Sequence, residues 1–341
     1  MAEVIQQENI RRRLFKLAAP IFIETLLIMM LGAVDVIMLS RHSDNSVAAV
    51  GVVNQIIVLT FLIFEVINLG TSVLCSQYLG AKMHKNVVQV VGVSLLMNLV
   101  VGVSVSLFLF GMNETILQWM GLTPELMKDG TDYMRIVGAF AFFQAISLTL
   151  SASLRSANKA IYPMMVTVVV NVLNIIGNYT LIFGEFGFPE MGVEGAAIST
   201  AFSRGVSMVI LFIILFKKHI RKFPLAYFRP FPFKELKNLL KVGLPSAGEQ
   251  LSYSSSQVVS TYFINALGME ALAARTYSVN IIMFSFLFSI AIAQGGAICI
   301  GHLIGEKRPH AAFLLGKYVM KKSVLITVCL SLITALMGPF I

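Results

Sequence analysis

Long runs of apolar residues are the feature that most limits how this chain can fold. A helix that crosses a bilayer needs about 20 consecutive, mostly apolar residues. The 341-residue sequence contains nine such runs, at roughly 17–39, 47–75, 88–110, 132–154, 162–184, 195–216, 239–265, 271–300 and 318–338. Polar or turn-rich segments separate them. The pattern predicts an all-α polytopic membrane protein with nine transmembrane helices in this chain.

Composition excludes the main alternatives to a membrane protein. Apolar residues make up 57% of the chain and charged residues 13%, and the mean hydropathy is +0.82. Soluble globular domains carry about a quarter charged residues, so this chain has too little polar surface to face water. Disordered, collagen-like and disulfide-rich classes are excluded on the same grounds.

The positive charge has a topological explanation. The formal net charge is +9, from 26 Lys and Arg against 17 Asp and Glu. If the amino terminus is cytoplasmic, 21 of the 26 basic residues fall on cytoplasmic loops and their flanks, as the positive-inside rule requires. Arg204 is the one basic residue near the middle of a predicted span rather than at its ends. We therefore expect a multi-pass protein of the cell membrane with a cytoplasmic amino terminus and no nucleic-acid partner.

An internal repeat relates the two ends of the chain. Shifting the sequence by 225 residues gives 16 identities in the 69 positions of 14–82 without a gap. The shift aligns residues that hydrophobicity alone does not explain: Pro20 with Pro245, Glu24 with Glu249, Gly70 with Gly295, Gly80 with Gly305, and Lys82 with Lys307. Because six spans precede the second copy, both copies enter the membrane from the same side, and the repeats are parallel.

The repeat predicts two lobes of six helices. Residues 1–216 form the amino-terminal lobe, 217–238 a basic cytoplasmic linker, and 239–341 a partial carboxy-terminal lobe with helices seven to nine. Applying the 225-residue shift to spans four to six predicts three further helices at about 357–441, so we expect the chain to lack them. A nine-span protein is the alternative.

Several segments resemble the multidrug and toxic compound extrusion (MATE) family of transporters. The matching stretches are PIFIETLLIMMLGAVDVIMLS (20–40), AAVG (48–51), GTSVLCSQYLGAK (70–82), RSANK (155–159), NVLNIIGNYTLIFGEFGFPEMGVEG (171–195) and GLPSAGE (243–249). The resemblance covers essentially the whole chain. It implies twelve helices in two lobes, and export of mostly cationic, amphipathic compounds in exchange for Na⁺ or H⁺.

Asp35 is the first candidate for ion coupling. An ionisable residue within a span is costly and indicates function. Protonation of Asp35, or its exchange for Na⁺, would change the local charge and the helix packing. The resemblance implies the same role, because the family has a coupling aspartate at this place. The alternative is a hydrated carboxylate near the outer interface.

Span 5 supplies amide groups at a matching depth. Asn171, Asn174 and Asn178 share one helical face, and Thr200 of span 6 is a weaker candidate for the same neighbourhood. These groups could complete a cation site with Asp35, hold the aspartate, or only join helices. Some family members have an aspartate where this chain has Asn178, which leaves the identity of the ion open.

A second set of polar residues is predicted to line a substrate cavity. Glu24 and its repeat mate Glu249 each follow a proline by four residues. Span 7 continues from Glu249 with a polar stripe, namely Tyr253, Ser256, Gln257 and Ser260. Glutamates that only hold the inner ends of the lobes are the alternative. Glu65, which has no mate in the second copy, is assigned to the interface or to packing.

The sequence favours a secondary active exporter that works by alternating access. The alternatives are a flippase for lipid-linked precursors, for which a cationic cavity would be expected, and a membrane enzyme, for which no catalytic motif is visible. We expect no enzymatic activity, no cofactor and no metal beyond Na⁺ at Asp35. The expected partners are the lipid bilayer and a small-molecule substrate, and the expected state is a monomer.

Overall fold

The chain is all-helical throughout the described residues, as the sequence predicts. The computed structural model describes residues 2–220, 223–265 and 269–337. Within them lie eleven α-helices: α1 (Ala2–His42), α2 (Asp44–Gly80), α3 (His84–Gly111), α4 (Asn113–Trp119), α5 (Pro124–Ala139), α6 (Ala141–Ser156), α7 (Ile161–Phe183), α8 (Gly192–Ile214), α9 (Phe233–Asn265), α10 (Met269–Gly305) and α11 (Pro309–Met337).

The described part therefore has eleven helices rather than the nine expected, and the difference has two sources. The short helix α4 occupies a segment that the sequence left as a loop. The predicted fourth span, 132–154, consists of parts of α5 and α6, which meet at a bend of 45°. The other eight helices each coincide with one predicted span.

A neighbouring helix stabilises the bend between α5 and α6. Phe140 leaves the helical conformation at φ −106° and ψ 16°. The backbone amide of Phe142 then donates to the hydroxyl oxygen of Ser106 on α3, at 3.2 Å. A side chain that replaces a helical hydrogen bond in this way is a recognised cause of kinks. The partner is distant in sequence, so hydropathy could not reveal the break.

Six helices in the described part are long and apolar enough to cross a membrane, or seven if α5 and α6 form one bent span. Helices α9 and α11 coincide with the predicted spans at 239–265 and 318–338. Some of their side chains lie outside the described set, so their membrane crossing stays a prediction. Of the predicted linker 217–238, residues 221 and 222 are likewise outside, and α9 already begins at Phe233.

Three large apolar clusters hold the described helices together, and a small fourth one joins Phe64 of α2 to the start of α6. The first joins the last turns of α1 and the first half of α2 to α3, α4, α5, α7 and α8. A second joins α2, α3, α6, α7, α8 and the start of α9. The third joins the first half of α1 to α10 and α11, through residues such as Leu14, Ile21, Leu303 and Leu315. Helix α1 therefore contacts helices from both halves of the chain.

The 225-residue shift also relates the helices themselves. Helices α2 and α10 end at positions exactly one shift apart, and so do the starts of α3 and α11. Where α2 crosses α10, a methyl group on Gly80 would overlap the carbonyl oxygen of His302, and one on Gly305 would overlap that of Gln77. The shift converts one contact into the other. Glycine is needed on both helices because the obstacle is backbone.

We expect Gly80→Ala to lower the melting temperature of the detergent-solubilised protein. Alanine normally favours a helix over glycine by about 0.5–1 kcal/mol, but overpacking at this crossing should cost about 1–3 kcal/mol. Gly51→Ala is the matched control on the same helix, since, apart from the adjacent residues and the nearby backbone of α2, no atom lies within 4 Å of the position of its new methyl group. Equal melting temperatures for the two variants would contradict the backbone contact.

Candidate functional site

A cavity of about 590 Å³ lies among α1, α2, α5, α6, α7, α8 and α10. This volume is in the range of small-molecule sites. Its polar lining includes charged, amide and hydroxyl groups: Glu24, Asp35, Asn54, Glu65, Asn68, Gln144, Arg155, Asn171, Asn174, Thr200, Arg204 and Gln294. Apolar side chains such as Ile28, Leu31 and Leu148 complete the wall.

Asp35 belongs to a chain of hydrogen bonds that runs from α1 through α7 to α8. The amide nitrogen of Asn178 donates to Oδ1 of Asp35 at 2.6 Å and to Oδ1 of Asn174 at 3.1 Å. The amide nitrogen of Asn174 donates to Oγ1 of Thr200 at 3.3 Å. Four of the predicted coupling residues are therefore neighbours, and both asparagines are 1% exposed.

The chain of hydrogen bonds leaves one oxygen unused beside the carboxylate. Oδ1 of Asn178 is buried and has no hydrogen-bond partner within the described residues. An amide oxygen next to a carboxylate is the kind of ligand that a hard cation such as Na⁺ prefers.

Asn171, the fifth predicted coupling residue, has a different contact. Its side-chain nitrogen donates to the backbone carbonyl oxygen of Leu27 on α1, at 2.8 Å. This bond joins α7 to α1 about two turns from Asp35 along the cavity wall. Asn171 thus acts as a link between helices, while Asn174 and Asn178 surround the aspartate.

Arg204 places a positive charge near this site. It lines the cavity from α8, its guanidinium lies 5.3 Å from the centre of the Phe61 ring, and its charge acts on Asp35. Nη1 of Arg204 is buried without a hydrogen-bond partner in the described part of the chain. Asp35 therefore has an internal counter-charge, which would compete with an incoming cation.

Glu24 lies at the other end of the cavity with Arg155. Oε1 of Glu24 is 3.9 Å from Nη2 of Arg155, and the two side chains are 8% and 17% exposed. Nη1 of Arg155 donates to Oε1 of Gln294 on α10 at 3.4 Å. Oε2 of Glu24 is buried and unpartnered among the described residues.

Sequence reasoning missed the position of Arg155. We had assigned it to a cytoplasmic flank, because it follows the predicted fourth span by one residue. Helix α6 continues to Ser156 and turns Arg155 into the cavity. Glu65, assigned above to the interface or to packing, also lines the cavity and accepts from Nδ2 of Asn68 at 2.7 Å. The sequence clue was an arginine directly at the edge of a predicted span, where a slightly longer helix brings the side chain into the bundle.

The polar stripe of α9 is not part of this cavity. Glu249, Tyr253, Ser256 and Ser260 are exposed. Gln257 is half-buried and accepts from Nη2 of Arg275 through Oε1 at 2.9 Å. Glu24 and its mate Glu249 are thus in different surroundings. That the stripe lines a cavity between two lobes stays a prediction.

The fold and the site define a class of protein. A bundle of apolar helices that encloses a cavity lined by buried charges and amides is the architecture of a multi-pass membrane transporter. The chain belongs to the MatE family, whose model matches residues 20–180 and 245–341. This confirms the resemblance drawn from the sequence.

Two curated relatives and one solved structure illustrate the similarity. YisQ, an uncharacterized transporter of Bacillus subtilis (strain 168), is 44% identical over 300 residues, which cover 88% of this chain and 66% of YisQ. The probable multidrug resistance protein NorM of Thermotoga maritima is 30% identical over 297 residues, covering 87% of this chain and 64% of NorM. The chain thus spans about two thirds of the length of these relatives.

A crystal structure of MATE in the bent conformation has the same fold. It matches with a TM-score of 0.88 at 24% identity, covering 97% of this chain and 73% of that chain.

We expect Glu24 and Arg155 to be energetically coupled. Removing one partner of a buried ion pair leaves an uncompensated charge and typically costs about 3–5 kcal/mol. Glu24→Gln and Arg155→Met should therefore each lower the melting temperature, and the double variant should be more stable than the sum of the single effects predicts.

The control for this cycle is the pair of His42 and Glu190, 3.3 Å apart, in which the Glu190 side chain is 63% exposed. Its cycle, made with glutamine at both positions, should give a coupling near zero, since exposed pairs contribute about 0–1 kcal/mol. Similar coupling energies in the two cycles would contradict the burial argument. Thermal unfolding in detergent supplies both measurements.

Proposed function

We propose that this protein is a secondary active exporter that moves amphipathic, cationic organic compounds out of the cell in exchange for a cation. The observation that carries the proposal is the placement of Asp35. It lies on the wall of a ligand-sized cavity and is bonded to a buried amide at 2.6 Å. The names of the NorM relatives, which describe multidrug resistance proteins, support the same function.

The coupling ion binds around Asp35 in this proposal. Either a proton or Na⁺ would neutralise the carboxylate, and Oδ1 of Asn178 would act as a further ligand for Na⁺. Either ion would also weaken the attraction between Asp35 and Arg204. The cavity lining contains three carboxylates and two arginines. In this proposal one of the carboxylates, Asp35, loses its negative charge when the coupling ion binds.

The substrate class follows from the lining. Glu24, Asp35 and Glu65 contribute three negative charges against the two of Arg155 and Arg204. Apolar side chains alternate with them along α1. A cationic compound with an apolar body fits such a wall, whereas a pyrophosphate-bearing lipid would require an excess of positive charge. The flippase alternative is therefore the weaker one.

Alternating access between two lobes is the proposed mechanism. The crossing of α2 and α10 supports it, because contacts related by the 225-residue shift join the two copies of the repeat. The two segments matched by the family model also begin one shift apart, at residues 20 and 245. Separation of α2 from α10 at Gly80 and Gly305 would open the cavity on the predicted cytoplasmic side.

The remaining assignments are proposals of the same kind. We place the protein in the plasma membrane with its amino terminus in the cytoplasm, and we propose that it acts as a monomer without a cofactor, without enzymatic activity and without a nucleic-acid partner. The polar stripe of α9, including Glu249 and Tyr253, would line the substrate cavity from the side of the carboxy-terminal lobe.

We expect Asp35→Asn to abolish ion-driven efflux. Asparagine keeps the size of the side chain and an oxygen that can accept from Asn178, but it cannot carry the charge. Efflux of ethidium from vesicles containing the protein, driven by a Na⁺ gradient or a pH gradient imposed separately, should fall on the order of tenfold or more under the gradient that drives the wild type.

Glu114→Gln is the matched control, since it removes one carboxylate from the exposed surface of α4. It should transport like the wild type. If Asp35→Asn retains ion-driven efflux, the assignment of the coupling site fails. If neither gradient drives efflux by the wild type, the proposed exchange fails as a whole.

A further inference from the structure

A basic groove lies outside the central cavity, where α1 meets the loop between α10 and α11. Its volume is about 650 Å³. Arg11 of α1, Lys307 and Arg308 of the loop, and Lys317 and Lys321 of α11 all line it. Within the described residues no aspartate or glutamate lines it. Five basic side chains from three parts of the chain thus converge on one groove, and one of them, Arg308, also lies 3.6 Å from Oε2 of Glu306 beside it.

The groove also has an apolar wall. Leu314 and Leu315 line it, and the ring of Tyr318 lies 4.6 Å from the guanidinium of Arg11. Near the groove, α11 exposes large apolar side chains, with Phe313 at 69% and Met320 at 65%. A ligand bound here would therefore contact positive charge at one end and apolar surface at the other.

The internal repeat supplies a counterpart for comparison. The 225-residue shift maps Lys317 onto Gly92 and Lys321 onto Leu96 of α3, and Arg11 onto Leu236 of α9. In that copy the chain's own linker fills the groove. The rings of Phe223 and Phe228 press against Gly92, leaving no room for a methyl group there.

A hydrogen bond fixes this linker segment. Nε2 of Gln89 on α3 donates to the backbone carbonyl oxygen of Tyr227 at 2.8 Å. The same place in the fold is thus filled by aromatic side chains in one copy and lined by lysines in the other. Arg11, Lys317 and Lys321 are cationic where the filled groove has Leu236, Gly92 and Leu96, whereas Lys307 corresponds to another lysine, Lys82. The three added charges indicate an occupant that carries negative charge.

We infer that the groove binds the headgroup of an anionic phospholipid. Its phosphate would lie among Arg11, Lys317 and Lys321, and its glycerol and acyl portions along Leu314 and the exposed apolar face of α11. Basic pockets between transmembrane helices bind such headgroups, and the bilayer supplies them at this level. Because Arg11 belongs to α1 and the other cations to the α10–α11 side, the lipid would join the two.

The test compares lipids on the purified protein in detergent micelles. Phosphatidylglycerol, added to the wild type, should bind and raise the melting temperature, whereas phosphatidylcholine should not. Lys317→Gln/Lys321→Gln and, separately, Arg11→Gln should weaken phosphatidylglycerol binding, by on the order of tenfold or more for the double variant. Binding is measured by native mass spectrometry.

Lys234→Gln/Lys237→Gln is the matched control. It removes two exposed charges from the start of α9, on the same predicted face of the membrane but outside the groove, and should bind like the wild type. Equal losses in the two double variants would show a general charge effect and overturn the site. Arg11→Gln, a single change on another helix, keeps the test valid if the double variant unfolds.

Two further outcomes would overturn the inference. Glycerol phosphate that binds as tightly as phosphatidylglycerol would assign the groove to a soluble phosphate compound. If the wild-type protein binds phosphatidylglycerol and phosphatidylcholine equally well, the groove is not a site for anionic lipid. Another occupant, such as a further segment of protein, would then be indicated. The assay does not depend on transport, so its failure would leave the proposed exchange untouched.

Discussion

An ionised side chain in the apolar layer of a membrane costs several kcal/mol unless a partner compensates it, and the helices of this chain are arranged around that cost. Asp35 on α1 has the amide of Asn178 on α7, and Glu24 on the same helix has Arg155 on α6. Arg204 on α8 lies against the Phe61 ring of α2. Each of these three contacts joins two helices, and the helices that they join surround the cavity.

The two copies of the repeat keep their backbone contacts but differ at two of the three cavity carboxylates, Asp35 and Glu65. Gly80 and Gly305 occupy equivalent crossings, where backbone approaches backbone. Asp35, by contrast, corresponds to Ser260. Close packing of helices restricts a position to glycine whatever the function, whereas a carboxylate is kept only where a charge is used. The asymmetry therefore concentrates the charge chemistry of the described cavity on the first copy.

Regular helix geometry made part of the site predictable. Asp35 and Asn178 lie at similar distances from the ends of two helices that enter from the same side, and a fixed rise of about 1.5 Å per residue brings them to the same depth. The break at Phe140 depends on Ser106 of another helix, and the position of Arg155 depends on where α6 ends. Both are set by tertiary contacts, which a hydropathy profile does not contain.

Arg155 connects the charges of the cavity to the position of α10. It lies 3.9 Å from Glu24, and it donates to Gln294 on α10 at 3.4 Å. Gln294 precedes Gly295, which packs closely against Ala18 of α1. If α10 moved away from α1, Arg155 would lose Gln294 and keep Glu24 and the backbone carbonyl oxygen of Ser151 on its own helix, so its attraction to Glu24 would strengthen. A cation that bound Glu24 would have to compete with that stronger attraction. The charge state of the inner cavity and the separation of α1 from α10 are therefore physically linked through one guanidinium group.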